Sequence, residues 1–265
     1  MAYPEAPGLR IGHDAPVLTI AFDRPAQRNS FTPSIAAALR DTLIISARDP
    51  DLRVVLLSGS GGEAFSAGYD IAALAELAEQ GLRPLEDGDP YEQANQALLR
   101  HPLPTVAMLQ GWVMGGGCAL ATGCDIRIAG DSARFGMPTA KLGVLYGYHD
   151  FAPFLEAVGQ AWTRFLFLTG HVIDASTALR IGLVHEVVPD NELEEVTQRL
   201  VSEIAENAPL SVKGTKRVLG LMRPEIDGLS RAEIERLMQR TQSSADLEEG
   251  RQAFLEKRRP RFQGR

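Results

Sequence analysis

The chain has 265 residues but only two cysteines, two tryptophans and five histidines. Cys118 and Cys124 stand six positions apart on one expected helix. That is neither a metal spacing nor a disulfide framework, so they read as reduced core residues of a cytosolic protein. A cytoplasmic location follows as an expectation. His13, His101, His171 and His185 fit no ligand cluster and read as surface or turn residues, so no metal is expected. No run of about 18 apolar residues is present, which argues against a membrane span. The opening MAYPEAPGLRIGHD has neither the basic nor the apolar region of an export signal. Positive charge is also short. The formal net charge of −7 argues against a bulk nucleic-acid binder. Low-complexity tracts are absent as well.

What is present suits one large globular unit with a sizeable core, at 45% hydrophobic and 23% charged residues. VLTIAF (Val17 to Phe22) alternates and is rich in β-branched residues, which predicts a strand. A helix should follow, with Thr32 as N-cap and Pro33 in its first turn. RVVLLSG (Arg53 to Gly59) and PTVAMLQG (Pro104 to Gly111) read as buried strands, and DIRIAG and ARFGM as short ones. Helices are expected near Ile71–Gln80, Tyr91–Arg100 and Gly117–Thr122, with a polar loop at Arg83 to Pro90. This alternation gives an α/β class. After about residue 150 the pattern turns helical. Asp174 should cap a helix ending at Gly182, and Glu192–Asn207, Ser211–Leu221, Arg231–Gln242 and Leu247–Lys257 should follow. The stretch from Arg251 to Arg265 carries six basic side chains against one acid, Glu256, on an otherwise acidic chain. It reads either as an anion site or subunit contact, or as a solvated tail.

Two glycine clusters remain. GWVMGGGCALATGCDIRIAG (Gly111 to Gly130) is a strand running through three glycines into a helix. Free backbone N–H groups at a helix start suit a phosphate or a transient oxyanion. The absence of G-K-[ST] excludes a P-loop. SGSGGEAFSAGYD (Ser58 to Asp70) nominally contains a dinucleotide fingerprint, but no convincing helix begins at Glu63. Taken together, the clusters supply either tight strand-to-helix turns or one N–H each to a shared carbonyl oxygen.

AFSAGYDI, the GGG segment through FGMP, and the ending EEGRQAFLEKRRPRF together resemble the crotonase superfamily, the enoyl-CoA hydratase/isomerase group, over essentially the whole chain. The resemblance implies a spiral of repeated ββα units (residues 1–200, binding acyl-CoA). It also implies a C-terminal helical region (201–265) for trimerisation and CoA contact, in trimers or dimers of trimers. The amides of Tyr69 and Gly116 would form the oxyanion hole for an acyl-CoA thioester, with coenzyme A part of the substrate and no separate cofactor. Ser66, Ala67, Asp70 and Ile71 would line the adenine and pantetheine. Arg28, and Phe254 and Lys257 of a neighbouring subunit, would meet the CoA phosphates and adenine.

Two departures bear on the reaction. Hydratases of this family carry glutamates where this chain has Ala119 and Thr139, and neither residue can activate water. The nearest subgroup resemblance is to methylmalonyl-CoA decarboxylase, through FSAG-x-DI, a DP loop and LGVxY, which puts a catalytic tyrosine at Tyr146. That subgroup keeps the glutamate replaced here by Ala119 and lacks the YHD of this chain. Decarboxylation of a malonyl-type CoA ester is therefore the leading expectation. His149 with Asp150, or Glu92, could instead serve hydratase, isomerase or hydrolase chemistry, or His149 and Asp150 could simply cap the following helix. A non-catalytic acyl-CoA binding protein is the remaining alternative.

Overall fold

The computed structural model describes residues 2–73, 89–222 and 228–264. The segment expected as a helix at Ile71–Gln80, and the polar loop expected at Arg83 to Pro90, fall largely outside the described residues.

Strands β1 (Leu9–Asp14) and β2 (Val17–Phe22) form an antiparallel pair. The alternation in VLTIAF does what its period dictates, burying Leu18, Ile20 and Phe22 on one face. Helix α1 (Pro33–Ser46) begins as expected, with Thr32 Oγ1 accepting from the Ile35 amide. Strand β3 (Val54–Gly59) is apolar on both faces because both are covered. Val55 and Leu57 join the main core, while Val54 and Leu56 pack with Val106 and Val201.

The chain then repeats one motif, in which a strand of a first sheet leads to a short strand of a second sheet and on to a helix. The units are β3, β4 (Ala64–Ser66) and α2 (Pro90–Leu99); β5 (Thr105–Leu109), β6 (Trp112–Met114) and α3 (Gly116–Gly123); and β7 (Ile126–Gly130), β8 (Arg134–Gly136) and α4 (Thr139–Leu142). Next come α5 (Tyr148–Thr169), β9 (Val172–Asp174), α6 (Ala175–Arg180) and β10 (Glu186–Val188). The six-stranded sheet has the order β1-β2-β3-β5-β7-β10 and the four-stranded sheet the order β4-β6-β8-β9. This is the expected α/β spiral of ββα units.

Asp174 caps α6, accepting from the Thr177 amide, as expected. Helix α5 is broken at Gly159, whose φ of 66° is not helical. Four more helices close the chain: α7 (Leu193–Glu206), α8 (Pro209–Leu221), α9 (Gly228–Gln242) and α10 (Ala245–Leu255). The 200/201 division falls inside α7, where Val201 is fully buried. Helix α8 is tied down by Lys216, whose Nζ reaches Asp125 (2.6 Å) and the Leu103 carbonyl (2.8 Å). Its Leu210, Val218, Leu219 and Leu221 side chains are exposed. Helix α10 packs against α4. A Cβ on Gly143 would lie 2.8 Å from the Asp246 carbonyl oxygen, so only a glycine lets the two backbones approach this closely. No helix among the described residues is long and apolar enough to cross a membrane.

Of the surface and turn positions expected for the histidines, His101 takes the turn after α2 and is buried there, with Nε2 3.0 Å from Ser46 Oγ and Nδ1 beside the Leu103 backbone. Burial, helped by the charge of Lys216, lowers its pKa to about 4, so it is neutral at physiological pH.

Candidate active site

The two glycine clusters meet. A Cβ on Gly68 would lie 2.8 Å from the Gly116 nitrogen, so the turn after β4 and the start of α3 are in direct contact. Each glycine of the triplet has its own reason. Gly115 has a φ of 52°. The Gly116 backbone lies beneath the Tyr91 ring, and a Cβ on Gly117 would come within 2.6 Å of the Ser66 carbonyl oxygen. Neither the Tyr69 amide nor the Gly116 amide donates to an acceptor among the described residues. The two N–H groups therefore sit on touching segments without internal partners, and Gly116 adds the positive end of a helix.

The residues around them are firmly held. Ser66 Oγ donates to the Asn29 carbonyl (2.7 Å) and accepts from the Gly68 amide (3.0 Å). The Ala67 amide donates to the Arg28 carbonyl at 2.9 Å, which joins those two sequence-predicted residues. Asp70 is paired with Arg24 at 3.0 Å and takes the Ala73 amide, so its carboxylate is already engaged. Ile71 follows, half-buried. The Tyr69 hydroxyl donates to Asp89, a residue that the sequence reading did not single out.

Ala119, on α3, is fully buried, and Thr139 opens α4. Tyr146 is half-buried, and its hydroxyl makes no hydrogen bond among the described residues. A Cβ on Gly115 would lie 3.6 Å from that hydroxyl, which places the phenol beside the Gly115–Gly116 peptide. Burial, followed by the nearby Asp150 and Cys118, pushes the Tyr146 phenol well above its ordinary pKa, so it stays a hydrogen-bond donor. Tyr146 also lines a cleft of about 360 Å³ with Thr139, Val144, Phe151, Phe167 and Arg164.

Asp150 and His149 open α5. Asp150 is buried and faces inward. Its Oδ1 accepts from Asn95 Nδ2 at 3.0 Å, and its Oδ2 accepts from the Gly147 amide at 3.3 Å, a capping arrangement. Burial first, then the Glu92 carboxylate, push its pKa up to about 7. Hydrogen bonds from Gly147 and Asn95, and the nearby Tyr91 hydroxyl, pull it part of the way back. His149 packs against the Tyr148 ring, with centroids 5.5 Å apart. Glu92 accepts from Gln96 at 3.2 Å. Phe254, exposed near the end of α10, and Lys257, just beyond that helix, are not among the residues gathered around the two amides.

The sequence reading expected α2 and named Glu92 on it, but passed over Tyr91 and Asn95. Tyr91, Ala94, Asn95 and Leu98 form its buried stripe, at spacings of three and four residues. A polar Asn95 inside an apolar helical stripe was the available signal.

The chain matches the family model described as enoyl-CoA hydratase/isomerase over residues 12–265. It is 34% identical over 254 residues to (E)-benzylidenesuccinyl-CoA hydratase of Thauera aromatica, covering 94% of this chain and 96% of the relative. It is 32% identical over 258 residues to 2,3-dehydroadipyl-CoA hydratase of Escherichia coli K12, covering 97% and 99%. Among solved structures, methylmalonyl-CoA decarboxylase in complex with 2-nitronate-propionyl-CoA superposes with a TM-score of 0.87 at 30% identity, over 100% of both chains.

Proposed function

The chain belongs to the enoyl-CoA hydratase/isomerase family and acts on acyl-CoA, and from that premise we propose that it decarboxylates a malonyl-type CoA ester. The thioester oxygen lies between the Tyr69 and Gly116 amides. The C–C bond to the carboxylate breaks, CO₂ leaves, and the bonding pair becomes the enolate π system, with its charge held by the two N–H groups. No base is needed to generate this enolate, so a site with Ala119 and Thr139 in place of two carboxylates remains competent. A proton taken up at the α-carbon completes the thioester product.

The observation that carries this reading is the Tyr146 hydroxyl. It is a half-buried donor without a hydrogen-bond partner among the described residues, and it stands beside the Gly115–Gly116 peptide. In this reading it holds the leaving carboxylate out of the thioester plane, so that the breaking bond lies along the π orbitals. A charged base at that point would repel the carboxylate.

Hydration or hydrolysis is the second reading. Hydratase names among the relatives favour it, as does the inward-facing Asp150, whose pKa of about 7 is that of a working acid or base. In either reading CoA lies along Ser66, Ala67, Asp70 and Ile71, with Arg28 nearby. Phe254 and Lys257 reach the CoA of a neighbouring subunit in a homotrimer or dimer of trimers, and the exposed apolar side chains of α8 suit such packing.

A mass-spectrometric screen with malonyl-, methylmalonyl-, crotonyl- and 3-enoyl-CoA tests the proposal. Loss of CO₂ from a malonyl ester without hydration of crotonyl-CoA is expected. Vigorous hydration without decarboxylation overturns it in favour of the second reading. Binding with no turnover of any ester leaves a non-catalytic acyl-CoA binder.

A further inference from the structure

The first turn of α2 touches both residues whose amides form the oxyanion hole. Tyr91 is 3% exposed, and its ring lies near-parallel to Phe31 (27°, centroids 6.0 Å apart) and tilted against Tyr69 (centroids 5.0 Å apart). Its hydroxyl donates to the Gly116 carbonyl at 2.9 Å. The same ring covers the Gly116 Cα, where a Cβ would lie 3.1 to 3.3 Å from three of its atoms. Two residues earlier, Asp89 takes the Tyr69 hydroxyl. One helical turn therefore grips Gly116 through a phenol and Tyr69 through a carboxylate and a ring face.

Asp150 lies behind Tyr91. Its carboxyl meets the Tyr91 hydroxyl as well as Asn95 and the Gly147 amide. Asn95 supplies a second observation. Its Nδ2 is bonded to Asp150, while its Oδ1 is buried without any hydrogen-bond partner. A buried orphan acceptor is costly, and it leaves the polar cluster around Asp150 short of one donor.

We propose that Tyr91 is the positioning residue of the oxyanion hole, and that protonation of Asp150 decides whether the Tyr91 hydroxyl holds Gly116. This rests on the reading that the Tyr69 and Gly116 amides receive the thioester oxygen. A neutral Asp150 donates its proton to Tyr91 Oη, and the Tyr91 proton stays on the Gly116 carbonyl. An ionised Asp150 only accepts, and a charged acceptor outcompetes a peptide carbonyl for the phenol proton. Gly116 is then released. The step moves one proton between Asp150 and solvent, and no other bond changes.

The surrounding groups are consistent with this. Tyr91, Glu92 and Asn95 of α2 face Asp150, as do Tyr146 and Gly147 from the segment before α5. Cys118 of α3 lies beyond Tyr146, Tyr69 and Asp89 lie beyond Tyr91, and Tyr148 and His149 precede Asp150 on its own helix. Burial, then Asp150 and the neighbouring phenols, hold Tyr91 well above its ordinary pKa, so it keeps its proton throughout. Asp150 itself titrates at about 7.

The test is isotope-edited infrared spectroscopy of propionyl-CoA labelled with ¹³C at the thioester carbonyl, bound to the full chain. Hydrogen bonds to that oxygen red-shift its stretch. In the unmodified protein the red shift should decline between about pH 6 and pH 8, as a group titrating near neutrality ionises. Tyr91→Phe keeps the ring and should bind the ester equally well, yet lose roughly half of the low-pH red shift, as one of two donors loses its alignment. Asp150→Asn should keep the low-pH shift at every pH. A full, wild-type shift in Tyr91→Phe overturns the proposal while leaving the oxyanion reading intact. No red shift in the unmodified protein removes that reading and the proposal together. If Tyr91→Phe does not fold, Asp150→Asn decides. A flat pH profile against a sloping wild type supports the proposal, and identical profiles overturn it.

Discussion

The Tyr146 hydroxyl stands beside Gly115, close enough that a methyl group added to that glycine would touch it at 3.6 Å. The phenol thus overlooks the peptide that carries the Gly116 amide. Tyr146→Phe keeps the ring packing against Phe167 and removes only the oxygen. The loss of one transition-state contact should lower turnover by about 2–4 kcal/mol, by analogy with a lost oxyanion donor. Affinity for the ester should change little, because the CoA portion supplies most of the binding. Steady-state kinetics on a malonyl-type ester measure both quantities. His149→Ala should have the smaller effect. A silent Tyr146→Phe beside an inactive His149→Ala or Asp150→Asn would transfer the chemistry to acid–base catalysis.

Crotonyl-CoA hydration by the unmodified protein should be weak or absent, because Ala119 and Thr139 offer no carboxylate. The double change Ala119→Glu, Thr139→Glu should introduce measurable water addition, followed by loss of enoyl absorbance. Rapid hydration before any substitution contradicts this and points to Glu92 and Asp150.

Two buried groups should oppose each other in the pH dependence of stability. The folded-state pKa of Asp150 is raised, to about 7 from 3.8. Between those values the folded chain holds a proton that the unfolded chain has lost, so stability rises as pH falls from 7 towards 4, by on the order of 4 kcal/mol. The folded-state pKa of His101 is lowered, to about 4 from 6.5. The unfolded chain takes up the proton first, so stability falls as pH drops through that window, by on the order of 3 kcal/mol. Asp150→Asn should make the protein more acid-sensitive, and His101→Gln should make it less so. Urea unfolding at pH 4.5 and pH 7.5 for the three proteins checks both signs. Variants with parallel pH slopes would contradict the assignment.

Lys257→Ala should weaken CoA-ester binding, with a loss that shrinks as salt is added, because a contact to phosphate is screened. Calorimetric titrations at low and high ionic strength, alongside sedimentation, test the inter-subunit part. A strictly monomeric protein with normal CoA-ester affinity would contradict it.

Much of the fold was legible because local chemistry fixed it. Examples are the alternation of VLTIAF, the Thr32 and Asp174 caps, and the glycines that only a close backbone approach explains. Thr139 and Ala119 were informative as the absence of a charge, which a sequence displays directly. The Asp89–Tyr91 turn was not legible. Its meaning depends on where α2 lands against α3 and the turn after β4, and those contacts span 20 to 25 residues of sequence. His101 escaped for the same reason, since its hydrogen-bond partner Ser46 lies 55 residues away. Helix α7 was legible as a helix, but what it packs on was not, and only the second apolar face of β3 explains the burial of Val201.

The order in which the chain can assemble is written into the first sheet. Val17 pairs with Val54, Val55 with Thr105, Val106 with Ile126, and Ile128 with Glu186, so every parallel partner lies well downstream. Such contacts close large loops before they return any stability, which makes folding slow. A nascent chain adds one strand at a time to a growing margin, and β7 keeps an open edge until residues 186–188 emerge. Until then the partly made sheet presents an unpaired strand to any neighbour. Synthesis that stalls before residue 186 should therefore yield aggregates rather than a shorter, soluble enzyme.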